Sequence, residues 1–266
     1  MTTPETPRCG SCGRQIDRLY VPCAHCGADP TSGTTSTPAV KVGSAAQKKR
    51  KHYPLENAAL FLQLLLGLFA AASVLALFTA VAYRSDLLDV ISGAKQVTAE
   101  VILTEERYNA ASLLVSGAYA ISSIVFIVWF WRAYSNITYF DRVRTRGTGW
   151  AIGGWFIPFA GWVIPYGIGA EIWTQSRPEP GPVAERRDPN MEPVISWWAL
   201  FLIMTAVNLV ALSSLPVDPA MDELASFVGV DIVDSVVSIA AALAAIRFVR
   251  RTSDRQRALL AALGQY

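Results

Sequence analysis

A chain of 266 residues could hold one or two soluble domains, but 52% of its residues are hydrophobic and only 17% are charged. With a mean hydropathy of +0.33 and the charges gathered into clusters, the composition disfavours a soluble enzyme and points to a membrane bundle. The formal net charge of +2 lacks the basic excess of a nucleic-acid binder, so no nucleic-acid partner is expected.

The N-terminus opens with polar residues and cysteines rather than a short apolar run. No cleavable signal peptide is expected, and the first apolar helix serves as the insertion signal. All four cysteines fall early, as Cys9-Gly-Ser-Cys12 and Cys23-Ala-His-Cys26, separated by the ten residues 13–22. A CxxC turn lets two thiolates reach one ion, and Gly13 and Gly27 permit tight knuckles after each pair. Two such knuckles supply the tetrahedral all-thiolate set of a structural zinc. The alternatives are two disulfides, which need an oxidising compartment, or redox pairs, which belong to a larger βαβ domain. A zinc ribbon over 1–27 is the preferred reading, its Zn2+ closed to substrate and required for folding. His25 could replace a cysteine ligand but is read as a solvated knuckle residue.

Residues 28–54 form a linker, first rich in Thr, Ser, Pro and Gly and then basic at Lys48-Lys49-Arg50-Lys51. Its composition reads as a flexible tether. Beside an apolar helix, the four cations read as a cytoplasmic stop with affinity for anionic head groups rather than as a nucleic-acid patch.

Residues 55–250 read as the membrane domain. The first span is expected over 58–82. The connector 84–107 holds three basic residues against five acidic ones and reads as an external, partly helical amphipathic segment. The second span, 110–131, ends in Trp129 and Trp131, which suit an interfacial belt. Arg132, Arg142, Arg144 and Arg146 against Asp141 then mark a cytoplasmic loop. Spans over 194–215 and 227–249 flank a short loop carrying Asp218, Asp222 and Glu223 without Lys or Arg. The residues 251–266 read as a basic cytoplasmic tail. Both termini are therefore expected inside.

Parity constrains the stretch 150–173. If the arginine loop and the tail are both inside, this stretch enters and leaves on one side; a fifth full crossing is the alternative. Six glycines (Gly149, Gly153, Gly154, Gly161, Gly167, Gly169) with Pro158 and Pro165 favour a broken, re-entrant segment. Within it Gly154-Trp155-Phe156-Ile157-Pro158 is echoed by Gly161-Trp162-Val163-Ile164-Pro165. On a helix the seven-residue offset would put Trp155 and Trp162 on one face. Each proline opposes the carbonyl of the glycine four residues back. Glycine carbonyls freed at membrane depth would face protein or water, as in a pocket or pore; a packing device is the blander reading. The expected fold is an all-α integral membrane bundle of four transmembrane helices plus one Gly/Pro-broken re-entrant segment, with a small N-terminal zinc ribbon.

Trp131-Arg132-Ala133-Tyr134-Ser135-Asn136, the arginine-bearing loop, Gly149-Trp150-Ala151, Trp155-Phe156-Ile157-Pro158, Pro165 and Glu171-Ile172-Trp173 resemble the bacterial domain of unknown function family 4328. The resemblance covers roughly 60–250. It implies a bacterial inner-membrane protein, and some members are similar in carrying an amino-terminal zinc ribbon. It brings no activity and no catalytic residues.

Asp231 and Asp234, three apart in the last span, share one helical face. Intramembrane carboxylates are candidates for a proton or cation site, although near a helix end they also reach interfacial water and favour the helix N-terminus. Arg132, Tyr134 and Asn136 cluster at the cytoplasmic face, where Glu171 could pair with Arg132 as a head-group site or a structural ion pair. Gln63, Asn208, Ser235, Ser238, Ala241 and Ala245 read as packing residues. No HExxH, P-loop, GxSxG or dinucleotide motif is present, so no enzyme is expected. The leading expectation is a non-catalytic anchor, scaffold or regulator whose ribbon binds a cytosolic protein. The rival is a small transporter using the broken segment and the intramembrane carboxylates.

Overall fold

The structure is a computed structural model that describes residues 51–178, 190–213 and 220–264. The cysteine pairs of the expected zinc ribbon, and the linker up to Arg50, lie outside the described residues. Contacts group residues 51–266 as one compact unit.

Among the described residues all regular structure is helical. Helix α1 is Glu56–Ile91, α2 Ala99–Tyr139, α3 a single turn Trp150–Gly153, α4 Ile164–Gln175, α5 Glu192–Ser213 and α6 Met221–Ala262; a short 3-10 turn, Ala160–Trp162, precedes α4. Four of these, α1, α2, α5 and α6, are long and apolar enough to cross a membrane. The chain is a multi-pass integral membrane protein.

Three of the four outrun the bilayer. At ~1.5 Å per residue, the 36 residues of α1, 41 of α2 and 42 of α6 reach roughly 54–63 Å, against a hydrocarbon core of about 30 Å. The excess absorbs segments that hydropathy alone leaves outside the spans. The amphipathic stretch 84–107 continues α1 and begins α2, leaving 92–98 as the connector. There Lys95 binds Asp86 at 2.8 Å, and the neighbouring carboxylate holds its ammonium above the usual lysine range. The basic residues after 250 likewise continue α6, because Thr252, Ser253, Gln256 and Leu259 are buried on its inner face.

The core follows from the residues that α1, α2 and α6 turn inward. Small side chains on α6 (Ala241, Ala242, Ala245) let the helices approach, and packing rather than hydrophobic burial drives association in lipid. Towards the α2 C-terminus the core is aromatic. Phe126, Trp129 and Phe130 of α2 meet Trp197 of α5 and Phe248 of α6, and the Trp197 and Phe248 rings stack at 4.5 Å. Trp129 belongs to this core and not to an interfacial belt: it is fully buried, and its indole N–H donates to Ser253 Oγ at 3.2 Å.

The Gly/Pro segment is broken, and the break differs from the one expected. Trp150 to Gly153 make one turn, Phe159 adopts φ 60°, the 3-10 turn follows, and Pro165 sits in the first turn of α4. Proline there starts a helix instead of interrupting one. With no helix joining them, the two tryptophans do not share a face. Trp155 packs inward against Phe126, Phe130, Trp197, Trp198 and Phe201, while Trp162 is half exposed against Phe159. Gly154 meets α4 so closely that a Cβ would lie 2.8 Å from Ile164 Cγ2. The two ends of the segment meet where Glu171 accepts from the backbone N–H of Thr145 at 2.6 Å and from its hydroxyl at 2.7 Å.

Candidate functional site

Asp231 lies nearly three turns into α6, and the 3.6-residue period puts Asp234, Ser235 and Ser238 on the same face. That face looks into a cavity of about 350 Å³ bounded by α1, α2, α5 and α6. Helix α1 contributes only the small Ala76 and Ala80 and the ring of Phe69, which leaves the space open. Helix α2 presents Tyr108, Ser112, Ser116 and Tyr119, and α5 presents Thr205 and Asn208.

The hydrogen bonds determine what the cavity offers. Tyr108 donates its hydroxyl to Asp231 Oδ2, and Asn208 donates from Nδ2 to Asp234 Oδ1 at 2.8 Å. The hydroxyls of Ser116, Thr205 and Ser235 donate back to carbonyls one turn earlier (Ser112, Phe201 and Asp231), at 2.8–2.9 Å. Their protons are thereby used, and their lone pairs remain. Neither carboxylate has an ion-pair partner among the described residues, and no lysine or arginine lines the cavity. Arg84, the nearest cation on α1, donates instead to the Ala225 carbonyl at 3.1 Å. The site is rich in acceptors and lacks positive charge. Its chemical complement is a donor or a cation.

The model of the family described as Domain of unknown function (DUF4328) matches residues 92–254. The chain belongs to this family. The DUF4328 match begins at the α1–α2 connector, later than the resemblance seen in the sequence, and closes within α6. It contains both carboxylates, Tyr108, Asn208 and the broken segment, whereas α1 lies before it. No curated protein and no solved structure matches the chain.

Within the DUF4328 region the candidate polar residues separate into two groups. Asp231 and Asp234 come together with Tyr108 near the start of α2; Arg132, Asn136 and Glu171 lie at its other end, roughly 42 Å along the helix from Tyr108 to Asn136. No ion pair joins Arg132 to Glu171 among the described residues. Thr145 and the hydroxyl of Tyr134, at 3.2 Å, hold Glu171 instead. Asn136 is buried and structural. Its side chain pairs with both backbone groups of Tyr53 at 2.9 Å and donates to Gln256 Oε1 at 2.9 Å. Gln256 in turn donates to the Ala133 carbonyl and to Ser176 Oγ. This network ties the chain entering α1 to α2, α4 and α6.

Of the broken-segment residues, Gly154, Pro158, Gly161, Trp162 and Pro165 shape the turn, while Trp155 reaches the interior. No group of three or more His, Cys, Asp or Glu side chains poised for a metal occurs among the described residues. Tyr108 and Tyr119 escaped the sequence reading, and Asn208 was assigned to packing. A signal for the α2 residues existed: Tyr108, Ser112, Ser116 and Tyr119 form a polar stripe at helical spacing within an apolar span.

Proposed function

We propose that this DUF4328 protein binds a small cation inside the membrane, in the cavity at Asp231 and Asp234, as a binding or permeation protein. One observation carries the reading: two carboxylates face a cavity within a four-span bundle with neutral hydrogen-bond donors and no cationic partner among the described residues. Charged groups held in a bundle are costly unless paired, so a bound cation supplies the missing partner. The Thr145–Glu171 closure supports the re-entrant reading of the broken segment, with its ends at one membrane face.

Modification by a membrane-permeant carbodiimide tests the site. An adduct is expected on Asp231 or Asp234, formed more slowly in millimolar ammonium and absent from the double variant Asp231→Asn/Asp234→Asn. Labelling unchanged by ammonium, sodium and potassium would sink the proposal.

A second module accompanies the bundle. The spacing of Cys9, Cys12, Cys23 and Cys26 supports a structural zinc ribbon that engages a cytosolic protein. Elemental analysis of the purified full chain should find one zinc per chain, lost in Cys9→Ser/Cys12→Ser; equal zinc in that variant would refute the assignment.

A further inference from the structure

Tyr119 and Phe69, whose rings lie 5.5 Å apart, bound the cavity at the two carboxylates on one side. A second space of about 310 Å³ adjoins it, and Phe69, Tyr119 and Met204 line both. Beyond this shared wall the surroundings become apolar and aromatic, with Phe126, Trp155, Trp197 and Phe201 around the space and Ala241 and Ala242 of α6 leaving it open. The walls are preformed: Trp155 stands edge-on to Phe126 at 5.9 Å and to Phe201 at 5.7 Å. At the far end Phe156 is 73% exposed, so the apolar chamber reaches the bundle surface.

Two serines, Ser122 and Ser123, interrupt the apolar part of this wall. Ser122 is 2% exposed, lines the apolar chamber, and its Oγ has no hydrogen-bond partner among the described residues. Ser116 on the same helix donates to its own preceding turn, as helical serines readily do. Ser122 does not, and its hydroxyl is enclosed in the chamber wall without a partner among the described residues.

We infer that the two chambers form one amphipathic site for an alkyl- or arylalkyl-ammonium ion, its cationic head at Asp231 and Asp234 and its apolar tail among Phe126, Trp155 and Phe201. The inference rests on the cation reading above and narrows it. An anionic or neutral amphiphile would leave two carboxylates without a counter-charge. A small hydrophilic cation would leave the aromatic chamber unfilled. Each chamber has a volume at the low end of ordinary ligand pockets, about 300–1,000 Å³, which limits the tail to a short one.

Calorimetric titration of the full chain in phosphatidylcholine nanodiscs, with empty discs subtracted, separates the possibilities. The probes are ethylammonium, hexylammonium and hexanol. Four buried methylenes should make hexylammonium bind roughly ten-fold or more tighter than ethylammonium. Ala242→Phe, which fills the apolar chamber, and Phe156→Ala, which opens it, should shrink that ratio and leave ethylammonium unchanged. Because Phe156 is largely exposed, its variant keeps the test valid if Ala242→Phe fails to fold. Equal affinities for the two ammonium ions, both lost in Asp231→Asn/Asp234→Asn, would overturn the inference and leave the cation reading standing. Hexanol binding as tightly as hexylammonium, with no loss in the double variant, would overturn both, as would the absence of any binding.

Discussion

Asp231 and Asp234 accept from neutral donors, Tyr108 and Asn208 among them, whereas two acidic residues elsewhere near the bundle ends are ion-paired. Asp86 pairs with Lys95, and Glu192 pairs with Arg247 at 2.6 Å. The carboxylate pair was legible because its spacing lies within one helix. Its partners were not, since Tyr108 is 123 residues away and helical periodicity carries no register between helices. Glycines give a similar contrast. A Cβ at Gly169 would lie 2.9 Å from Trp197 Cζ3, on a ring stacked against Phe248, whereas Gly67 has nothing within 4 Å. Gly169→Ala should therefore destabilise the protein by about 1–3 kcal/mol through overpacking. Gly67→Ala should be neutral or stabilising, by up to about 1 kcal/mol of helix propensity. Thermal unfolding of the two purified variants checks this, and a similar loss in both would contradict the packing assigned to Gly169.

Helix centres were readable from hydropathy, but helix ends were not. Beyond the hydrocarbon, α1, α2 and α6 continue on polar sequence whose buried positions depend on partners elsewhere in the chain. Gln256 looks like a tail residue, yet it is 2% exposed and bonded to Asn136, Ala133 and Ser176. Gln256→Leu keeps much of the volume but removes these bonds and leaves buried groups unpaired, which should cost about 1–3 kcal/mol. Because Asn136 also holds Tyr53, hydrogen exchange at the Tyr53 amide should accelerate in the variant. Unchanged exchange and an unchanged melting temperature would show that the network contributes nothing. The broken segment was legible as a break from its glycines and prolines. Its closure by Thr145 and Glu171 was not, because that contact spans 26 residues and involves no motif.

At the scale of the molecule, both proposed sites depend on four crossings that gather α1, α2, α5 and α6 around one space. Arginine-rich loops and acidic connectors support a topology with 92–98 and the α5–α6 loop outside and both chain ends inside. The proposed re-entry of the segment between α2 and α5 makes the parity of that topology even. Labelling of single cysteines with an impermeant maleimide in intact cells, after the native cysteines are replaced by serine, tests this most directly. Gln96, Val143, Ala220 and Ala258 are all exposed and suit the substitution. Gln96→Cys and Ala220→Cys should label in intact cells, and Val143→Cys and Ala258→Cys only after lysis. If Val143→Cys and Ala258→Cys instead label on opposite sides, the chain crosses five times and the four-span bundle around the carboxylate cavity is wrong.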